Sequence, residues 1–478
     1  RWSGKCSFVT ALFAPLEWSA QWIEPETTEA SPILRKEFSI RKKVQRAVLY
    51  ATAHGVYEAS VNGRKVGDAF MTPGYTSYDN RLQYQTYDIT SMLAMGNNAI
   101  GVEMARGWYL SNMGFVGRKE FVPNFEGSTF AFLGQIAITY TDGSREIVAT
   151  DGSWRCSPGA VLHSAIYDGE TFDARCIQAG RNKAGFDDSG WNDVKVADYG
   201  YANVVSQENG FVRNQEYVEA DTLFVTPAGE LVIDFGQNLV GSEEITFKGK
   251  AGQTIKVTHA EVLDENGHFY THNLRSADAA SQYVCDGTLR TYSTKFTFYG
   301  FRYIRLEGVD ASEINLSDIR AAVRFTDMAP TGGFSCSDPL VNQLQSNVQW
   351  GLRGNFVDVP TDCPQRDERL GWTGDAEVFA RTATFNRDAY AFYSNWLQDL
   401  EADQLPTGEV TDIVPFVKGL VGAGHVGWAD AATIIPWTLY MAYGDTDILR
   451  RQYSSMKRWV DCIISQAGDD YLWNTGWH

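Results

Sequence analysis

The sequence of 478 residues contains no apolar run long enough to cross a membrane as a helix. Such a helix needs roughly 18 or more consecutive apolar residues. The longest candidate, around residues 434–443, is only about ten residues long and includes Pro436 and Thr438. We therefore expect no membrane-spanning helix and no membrane partner.

Closely spaced cysteines are also missing. The seven cysteines are scattered along the chain, and no two of them form a C-x-x-C pair. This argues against a zinc ribbon and against a dense disulfide framework, and the odd number leaves at least one free thiol. The sequence starts at Arg1 without an initiator methionine or a signal-peptide pattern, so the compartment stays open.

Positive charge is scarce relative to negative charge. The chain has 41 Lys and Arg residues against 59 Asp and Glu residues, which gives a formal net charge of −18 at pH 7. A surface of this sign repels phosphate backbones and anionic lipids, so we expect no nucleic-acid partner. A neutral substrate fits this charge better.

The chain from about residue 22 to residue 326 shows the alternating pattern of short β-strands. One hairpin is predicted in VYEASVNGRKVGD, where Asn62 and Gly63 suit the two positive-φ positions of a type I′ turn. So many strands with hardly a helical period between them predict antiparallel β-sandwiches. Because this stretch is too long for one sandwich, we place a boundary near residue 216 and expect sandwiches at 21–215 and 216–326.

The pattern changes to a helical period from residue 327. Asp338 and Pro339 have the form of an N-cap followed by a first-turn proline. Apolar residues then recur every four positions and predict a helix with a buried face; they are Leu340, Leu344, Val348 and Leu352. Further helices are expected at about 375–385, 388–403, 428–443 and 447–466. We predict that residues 327–478 form a helical domain, and that this domain is incomplete.

Residues 358–379, DVPTDCPQRDERLGWTGDAEVF, combine six acidic residues with Val, Cys, Leu and Trp. Prolines and glycines interrupt the segment, so we expect a loop that joins two helices and turns several side chains into one cleft. Arg366 and Arg369 would supply compensating charge and hydrogen-bond donors. A structural ion-pair network and a site that uses carboxylates are equally good interpretations of these residues alone.

Hydrolysis of a glycosidic bond is one reaction that needs clustered carboxylates. A carboxylic acid protonates the leaving oxygen while a second carboxylate activates water or attacks directly. Neighbouring acids raise each other's pKa, and Trp372 could give a sugar ring an apolar wall. The segment therefore favours a hydrolase acting on a neutral sugar, and this chemistry requires no cofactor and no metal.

Within this segment, PTDCPQRDERLGWTGDA resembles the signature of bacterial α-L-rhamnosidases. The resemblance covers nearly the whole chain, because five further motifs occur along it in the family's order. They are SAQWI at 19–23, VNG at 61–63, DFGQNLVG at 234–241, GFRYIRLEG at 300–308 and GWADAATIIPWTLY at 427–440. It implies an inverting glycoside hydrolase in which β-sandwich domains, the first of them carbohydrate-binding-like, precede an (α/α)6 catalytic barrel. The implied substrate is a terminal α-L-rhamnose on a glycoside or polysaccharide. The oligomeric state stays open, as does the choice between a bacterial cytoplasm, periplasm or exterior.

The resemblance also implies a role for individual residues. Glu368 matches the general acid. Asp367 is the rival, because two acidic residues follow Arg366, but aligning on the LGW that comes next selects Glu368. The sugar-binding residues implied by the two motifs are Asp362, Arg366, Trp372, Asp375, Asp430 and Trp437.

The ends of the chain carry two further expectations. The family's catalytic base is a glutamate from a later part of a twelve-helix barrel, so we expect the general base beyond His478. At the other end, residues 1–20 have the pattern of a remnant strand and linker of a preceding sandwich.

Two other motifs are given structural interpretations. Gly422, Gly424 and Gly427 match G-x-G-x-x-G, but no strand of a parallel βαβ unit precedes them, so we expect a loop over the pocket mouth. His259 and Glu261 alternate along a strand, but their spacing fits no zinc motif, and we expect an exposed sandwich face.

Two alternatives to a rhamnosidase remain at this point. One is a carbohydrate-binding protein in which the sandwiches bind and the helical part is inert. The other is a different (α/α)6 enzyme, either another glycosidase or a polysaccharide lyase. A lyase is disfavoured because it needs a cluster of cations for an acidic sugar, and this segment is acidic.

Overall fold

The computed structural model describes residues 10–26, 31–114 and 129–474. Its strands are β1 (Trp22–Pro25), β2 (Pro32–Ile40), β3 (Val44–His54), β4 (Val56–Val61), β5 (Arg64–Lys65), β6 (Leu82–Asp88), β7 (Gly96–Ala105), β8 (Ala131–Tyr140), β9 (Arg145–Ala149), β10 (Arg155–Pro158), β11 (Val161–Ala165), β12 (Gly169–Asp173), β13 (Asn192–Ala197), β14 (Val204–Ser206), β15 (Val212–Glu219), β16 (Thr222–Val225), β17 (Leu231–Phe247), β18 (Thr254–Ala260), β19 (Ala280–Val284), β20 (Arg290–Tyr292), β21 (Tyr299–Glu307), β22 (Ile319–Thr326), β23 (Phe356–Val357) and β24 (Val359–Pro360). The α-helices are α1 (Gly107–Leu110), α2 (Pro339–Asn355), α3 (Thr373–Asn386), α4 (Tyr390–Asp403), α5 (Ala431–Tyr443) and α6 (Thr446–Ala467). No helix in this described part is long and apolar enough to span a bilayer.

The first sheet has twelve strands, hydrogen-bonded in the order β14-β6-β3-β8-β1-β13-β10-β2-β7-β4-β5, with β9 beside β8. Leu49 and Phe132, from β3 and β8, share one buried core with Leu34 and Val102, from β2 and β7. Strands distant in the hydrogen-bonded order therefore face each other across this core, as in the β-sandwich that the alternating pattern predicts.

The predicted hairpin turn is confirmed. Strands β4 and β5 pair antiparallel, with Val61 opposite Arg64. Between them, Asn62 and Gly63 have φ values of 51° and 80°. Both residues are thus in the left-handed region that a type I′ turn requires.

The second sheet has ten strands, in the order β11-β12-β19-β18-β21-β17-β22-β15, with β16 and β20 beside β17. Its core includes Ile233, Val257, Phe301 and Val323. The hairpin β11–β12 precedes residue 216 in the chain but joins this second sheet, because β12 pairs in parallel with β19. The domain limits 21–215, 216–326 and 327–478 remain predictions.

The helical region contains α2 to α6, close to the five helices expected from the sequence. The predicted cap of α2 is also present, since the Asp338 side chain accepts a hydrogen bond from the Leu340 N–H, with Pro339 in the first turn. The predicted burial of its apolar face is wrong for the first half of the helix. Leu340 is 78% exposed and Leu344 is 61% exposed, whereas Leu352 is buried. The period of four shows that the helix is amphipathic, but no described element covers its first half.

The remnant strand and linker expected at residues 1–20 stay a prediction. Residues 1–9 lie outside the described residues, and residues 10–20 contain only the 3-10 turn Pro15–Glu17. The Leu12 N–H donates to Tyr84 Oη at 2.7 Å, so this segment packs against the first sheet through a side-chain contact.

Candidate active site

The acidic segment leaves the short strands β23 and β24 and enters α3 at Thr373. Its anchor is Arg369, which is only 1% exposed. The guanidinium donates to the carbonyls of Ile166 and Phe298, at 2.9 and 2.8 Å, and to two carbonyls of its own segment. Arg369 therefore fastens the segment to loops next to the second sheet. We had expected Arg369 to compensate the charge of the acids, but its guanidinium donates to backbone carbonyls instead.

Glu368 is 7% exposed and accepts three side-chain hydrogen bonds. Its Oε2 accepts from Arg366 Nε at 2.7 Å and from Arg275 Nη2 at 2.9 Å. Its Oε1 accepts from the indole N–H of Trp372 at 3.1 Å. The Glu368 backbone carbonyl accepts from the Tyr167 hydroxyl. Both the side chain and the backbone of this residue are thus held in place.

The neighbouring Asp367 points to a different environment. It is 2% exposed, and its Oδ2 accepts from Ser276 Oγ at 2.5 Å. Arg275 Nε lies 3.9 Å from its Oδ1. Asp367 therefore binds the loop between β18 and β19, whereas Glu368 faces Arg366 and Trp372.

Asp362 completes the cluster around Glu368. The carboxylate oxygens of the two residues lie within 4.8 Å of each other. Asp362 accepts from Arg366 Nη2 at 3.2 Å and from the Leu370 N–H at 3.3 Å. Burial raises the pKa of Asp362 to about 6, and the Glu368 charge adds to this effect.

A cleft of about 500 Å³ lies beside this cluster. Asp362, Asp375 and Trp428 line it together with Phe356 and Phe379, so carboxylates and aromatic faces border the same space. Asp375 is exposed and lies in the first turn of α3. Gly427 also lines the cleft, which places the end of the glycine-rich loop at its mouth.

The second motif, residues 427–440, lies only partly at the cleft. Asp430 is partly buried and accepts from the Gly427 N–H at 3.1 Å and from the Trp459 indole at 3.0 Å. Trp437 lies on α5, 53% exposed and with its ring centroid 5.3 Å from that of Tyr440. It is not among the residues that line the cleft, whereas Trp428 of the same motif is.

Two further acids of the segment are buried outside the cluster. Asp358 accepts from the Tyr75 N–H and from Asn209, and burial raises its pKa to about 6. Glu377 lies on α3, near Asp430 at the start of α5. Burial, together with the Asp430 charge, raises the pKa of Glu377 to about 7. The segment thus combines structural acids with a carboxylate cluster, so both interpretations of its sequence apply.

Among the residues that the structure describes, the geometry brings together one set of potential metal ligands, Asp362, Cys363 and Glu368. Both carboxylates already accept from guanidinium groups. Burial raises the pKa of the Cys363 thiol, so that the sulfur stays protonated and is a weak ligand. The contacts of these three residues therefore disfavour binding of a divalent cation.

The expected exposed position of His259 is wrong. The residue is completely buried, and its Nε2 lies 2.7 Å from Glu243 Oε2. Glu261, two residues later, is partly exposed and accepts from Asn238 at 2.9 Å. Alternation along the strand could not show that β18 is covered on the His259 side by the sandwich core.

Three comparisons with known proteins bear on this site. The chain matches the alpha-L-rhamnosidase N-terminal domain at residues 42–216, the bacterial alpha-L-rhamnosidase concanavalin-like domain at 225–325 and the bacterial alpha-L-rhamnosidase 6 hairpin glycosidase domain at 329–478. This chain belongs to the bacterial α-L-rhamnosidase family. The acidic cluster lies in the part that matches the 6 hairpin glycosidase domain.

Individual proteins that are similar to this chain support the family assignment. The alpha-L-rhamnosidase of Streptomyces avermitilis is 43% identical over 430 residues, which are 89% of this chain and 41% of the relative. Its crystal structure in complex with L-rhamnose has a TM-score of 0.88 at 42% identity, covering 92% of this chain and 42% of that chain. The α-L-rhamnosidase structure from Aspergillus terreus has a TM-score of 0.90 at 38% identity, covering 95% of this chain and 53% of that one. The chain spans about half the length of the curated relatives it matches.

Proposed function

We propose that the protein hydrolyses terminal α-L-rhamnosides, with inversion at the anomeric carbon and with Glu368 as the general acid. The observation that carries the proposal is the contact set of Glu368. Its carboxylate lies between the guanidinium of Arg366 and the indole of Trp372, within 4.8 Å of Asp362. The structure of the Streptomyces avermitilis relative with L-rhamnose supports the choice of sugar.

In the proposed reaction, protonated Glu368 donates to the glycosidic oxygen as the bond from this oxygen to the anomeric carbon breaks. A water molecule attacks the anomeric carbon from the opposite face and gives its proton to a general base, which yields β-L-rhamnose. An inverting site separates acid and base by roughly 6.5–9.5 Å to admit this water.

The remaining site residues are proposed to hold the sugar. Asp362 and Asp375, which line the same cleft, would accept bonds from hydroxyl groups. Trp372, whose indole N–H donates to Glu368, would cover an apolar ring face. Asp430 stays in the proposal as a sugar-binding aspartate. For the second aromatic wall we propose Trp428, which borders the cleft, in place of Trp437.

The first experiment compares release of rhamnose from methyl α-L-rhamnopyranoside, whose leaving oxygen needs a proton donor, by the wild-type chain, Glu368→Gln and Asp367→Asn. It is run on residues 1–478 and on a polypeptide extended past His478. Glu368→Gln should lower kcat by about 10²–10⁴-fold, because the leaving group loses its proton donor. Asp367→Asn should retain far more activity, and proton NMR of the first product should show β-rhamnose.

The outcomes separate the alternatives. If Asp367→Asn removes activity while Glu368→Gln does not, the acid is misassigned. If both folded polypeptides bind rhamnose without cleaving the glycoside, the carbohydrate-binding alternative replaces the hydrolase. Cleavage of another glycoside in preference to the rhamnoside would indicate a different (α/α)6 glycosidase.

A further inference from the structure

The loop between β18 and β19, residues 261–279, reaches from the second sheet to the acid of the helical region. Near its end, the 3-10 turn His272–Leu274 is followed by Arg275 and Ser276. Arg275 Nη2 donates to Glu368 Oε2 at 2.9 Å, and Ser276 Oγ donates to Asp367 at 2.5 Å. Two successive loop residues thus bind two successive acids of the signature.

Arg275 has an unusual backbone conformation, with φ 59° and ψ −114°. Residues with a Cβ rarely adopt positive φ, and such conformations persist only where the surroundings hold them. The side chain is 31% exposed and yet bonds a carboxylate that is 10% exposed. The conformation turns a guanidinium of the sandwich region towards the acid.

The base of this loop is fixed by a buried polar network. The Ala279 carbonyl accepts from the His259 N–H and lies 2.9 Å from His259 Nδ1. Nε2 of this histidine is bonded to Glu243, which also accepts from Tyr283 Oη at 2.7 Å. Leu274 is 2% exposed, so the turn that presents Arg275 is anchored by a buried side chain as well.

A second contact ties the loop to the acid. The Asp278 N–H donates to the Tyr167 carbonyl at 2.8 Å, and the Tyr167 hydroxyl donates to the Glu368 carbonyl. The backbone of Glu368 and the side chain that contacts it are therefore held by the same sandwich elements. Movement of the loop relative to the acid would break both connections.

We propose that Arg275 is a positioning residue for the general acid, a role that rests on the proposed function of Glu368. Together with Arg366 it occupies Oε2, which leaves Oε1, beside Trp372, as the oxygen that presents the proton to the leaving group. Arg275 does not contact the sugar in this proposal. It acts by fixing which oxygen of the acid faces the substrate.

The test compares Arg275→Gln and Arg275→Lys with wild-type enzyme on two rhamnosides. A methyl rhamnoside needs protonation of its leaving oxygen, whereas a 2,4-dinitrophenyl rhamnoside hardly does. Arg275→Gln should lose about 10²-fold in kcat/KM on the methyl glycoside and less than about 3-fold on the activated one. Arg275→Lys should restore part of the loss, because it retains the charge. The matched control is Arg320→Gln, which removes a surface ion pair with Glu244 in the same sheet.

The pH profile gives a second measurement. The charged and titratable groups facing the Glu368 carboxyl are the carboxyls of Asp362 and Asp375, the Cys363 thiol and the guanidiniums of Arg366 and Arg275. The Asp367 carboxyl lies near the same Arg275 guanidinium, 3.9 Å from its Nε. Loss of a cationic neighbour favours the protonated acid, so the basic limb of kcat/KM should move to higher pH in Arg275→Gln. Arg275→Lys should move it less.

Equal losses on both substrates, with an unmoved pH profile, would overturn the positioning role and leave the proposed function intact. Wild-type enzyme that cleaves neither rhamnoside would overturn the proposed function, and this proposal with it. If Arg275→Gln fails to fold, Arg275→Lys decides between the outcomes by the same ratio of the two substrates.

Discussion

Single residues explain how this chain buries so many acids in one segment. An isolated buried carboxylate costs on the order of several kcal/mol, and a group in that position gains donors or takes up a proton instead. Glu368 gains two guanidiniums and an indole N–H, and Asp367 gains a serine hydroxyl. For Asp358 and Asp362, burial raises the pKa to about 6. Burial thus makes these two carboxyls take up a proton at a higher pH than an exposed aspartate does.

Glu377 provides a prediction about pH and stability. Its folded-state pKa, about 7, is raised above the ordinary value of a glutamate by burial and by Asp430. A raised pKa means that the folded state binds the proton more tightly than the unfolded state does. The resulting contribution to the free energy of unfolding is complete below about pH 4 and is lost as the pH rises through about 7. Glu377→Gln should therefore stabilise the protein at about pH 8, by about 1–2 kcal/mol after allowance for solvent screening, and change little at about pH 4.

Urea denaturation across this pH range measures the effect. Glu265→Gln is the control, because Glu265 is exposed in a turn of the second sheet region. If Glu377→Gln destabilises the protein equally at both ends of the range, the carboxyl has an ionised structural role and the argument from burial is wrong.

Among structural elements, the acidic segment depends on Arg369 for its attachment to the sandwich region. The buried guanidinium donates to four carbonyls, and a lysine ammonium has neither the fork geometry nor enough donors to replace it. Arg369→Lys should lower stability by about 3–5 kcal/mol and disorder the Glu368 cluster. Thermal unfolding, with Arg320→Lys as the surface control, measures the loss. A melting temperature equal to that of the control would show that water or other donors satisfy these carbonyls.

The sequence predicted a structural element correctly wherever neighbouring residues determine that element. Alternating residues predicted the strands, Asn62 and Gly63 predicted a turn, and Asp338 predicted a helix start. The sequence could not show what lies opposite an amphipathic face, so Leu340 was expected to be buried and is exposed. The same limit explains why His259 was expected on the surface.

In the candidate site as well, the sequence showed the residues that lie close together in the chain but not those that the tertiary fold brings in. Its acids, Arg366 and Trp372 lie within one short signature, and this spacing could be read directly. Arg275 and Tyr167 reach the cluster from 93 and 201 residues away, through elements whose pairing is set by the tertiary fold. Trp428 carried a signal, because it lies in the second motif, but its distance from the acids could not be read from spacing.

For the whole molecule, these long contacts mean that the sandwiches help to build the site of the helical region. Loops of the second sheet supply Arg275 and two of the four carbonyls around Arg369, and the first sheet supplies a separate attachment at α4. There, Arg81 donates to Asp399 at 2.7 Å and to Asn395 at 3.0 Å. The position of the acid is thus tied to the packing of both sheets against the helices.

The Arg81–Asp399 pair allows this dependence to be measured. Asp399 is 1% exposed, and burial raises its pKa to about 7 even beside the guanidinium. Arg81→Met should destabilise the docked helices by about 3–5 kcal/mol, because it leaves a buried carboxyl without its partner. The loss should be smaller at about pH 4 than at about pH 8, since the raised pKa leaves Asp399 neutral below its titration range.

The double variant Arg81→Met with Asp399→Leu removes both charges and should recover most of the stability, as apolar replacements of buried ion pairs often do. Arg302→Met is the matched control, because its ion pair with Asp234 is more exposed and should contribute about 1 kcal/mol or less. Calorimetry of the four proteins decides whether this contact couples the first sheet to the helices. If it does, the transition of Arg81→Met should split while that of the double variant stays single. If Arg81→Met unfolds like the control, the attachment through Arg369 and the second sheet is sufficient to hold the helical region.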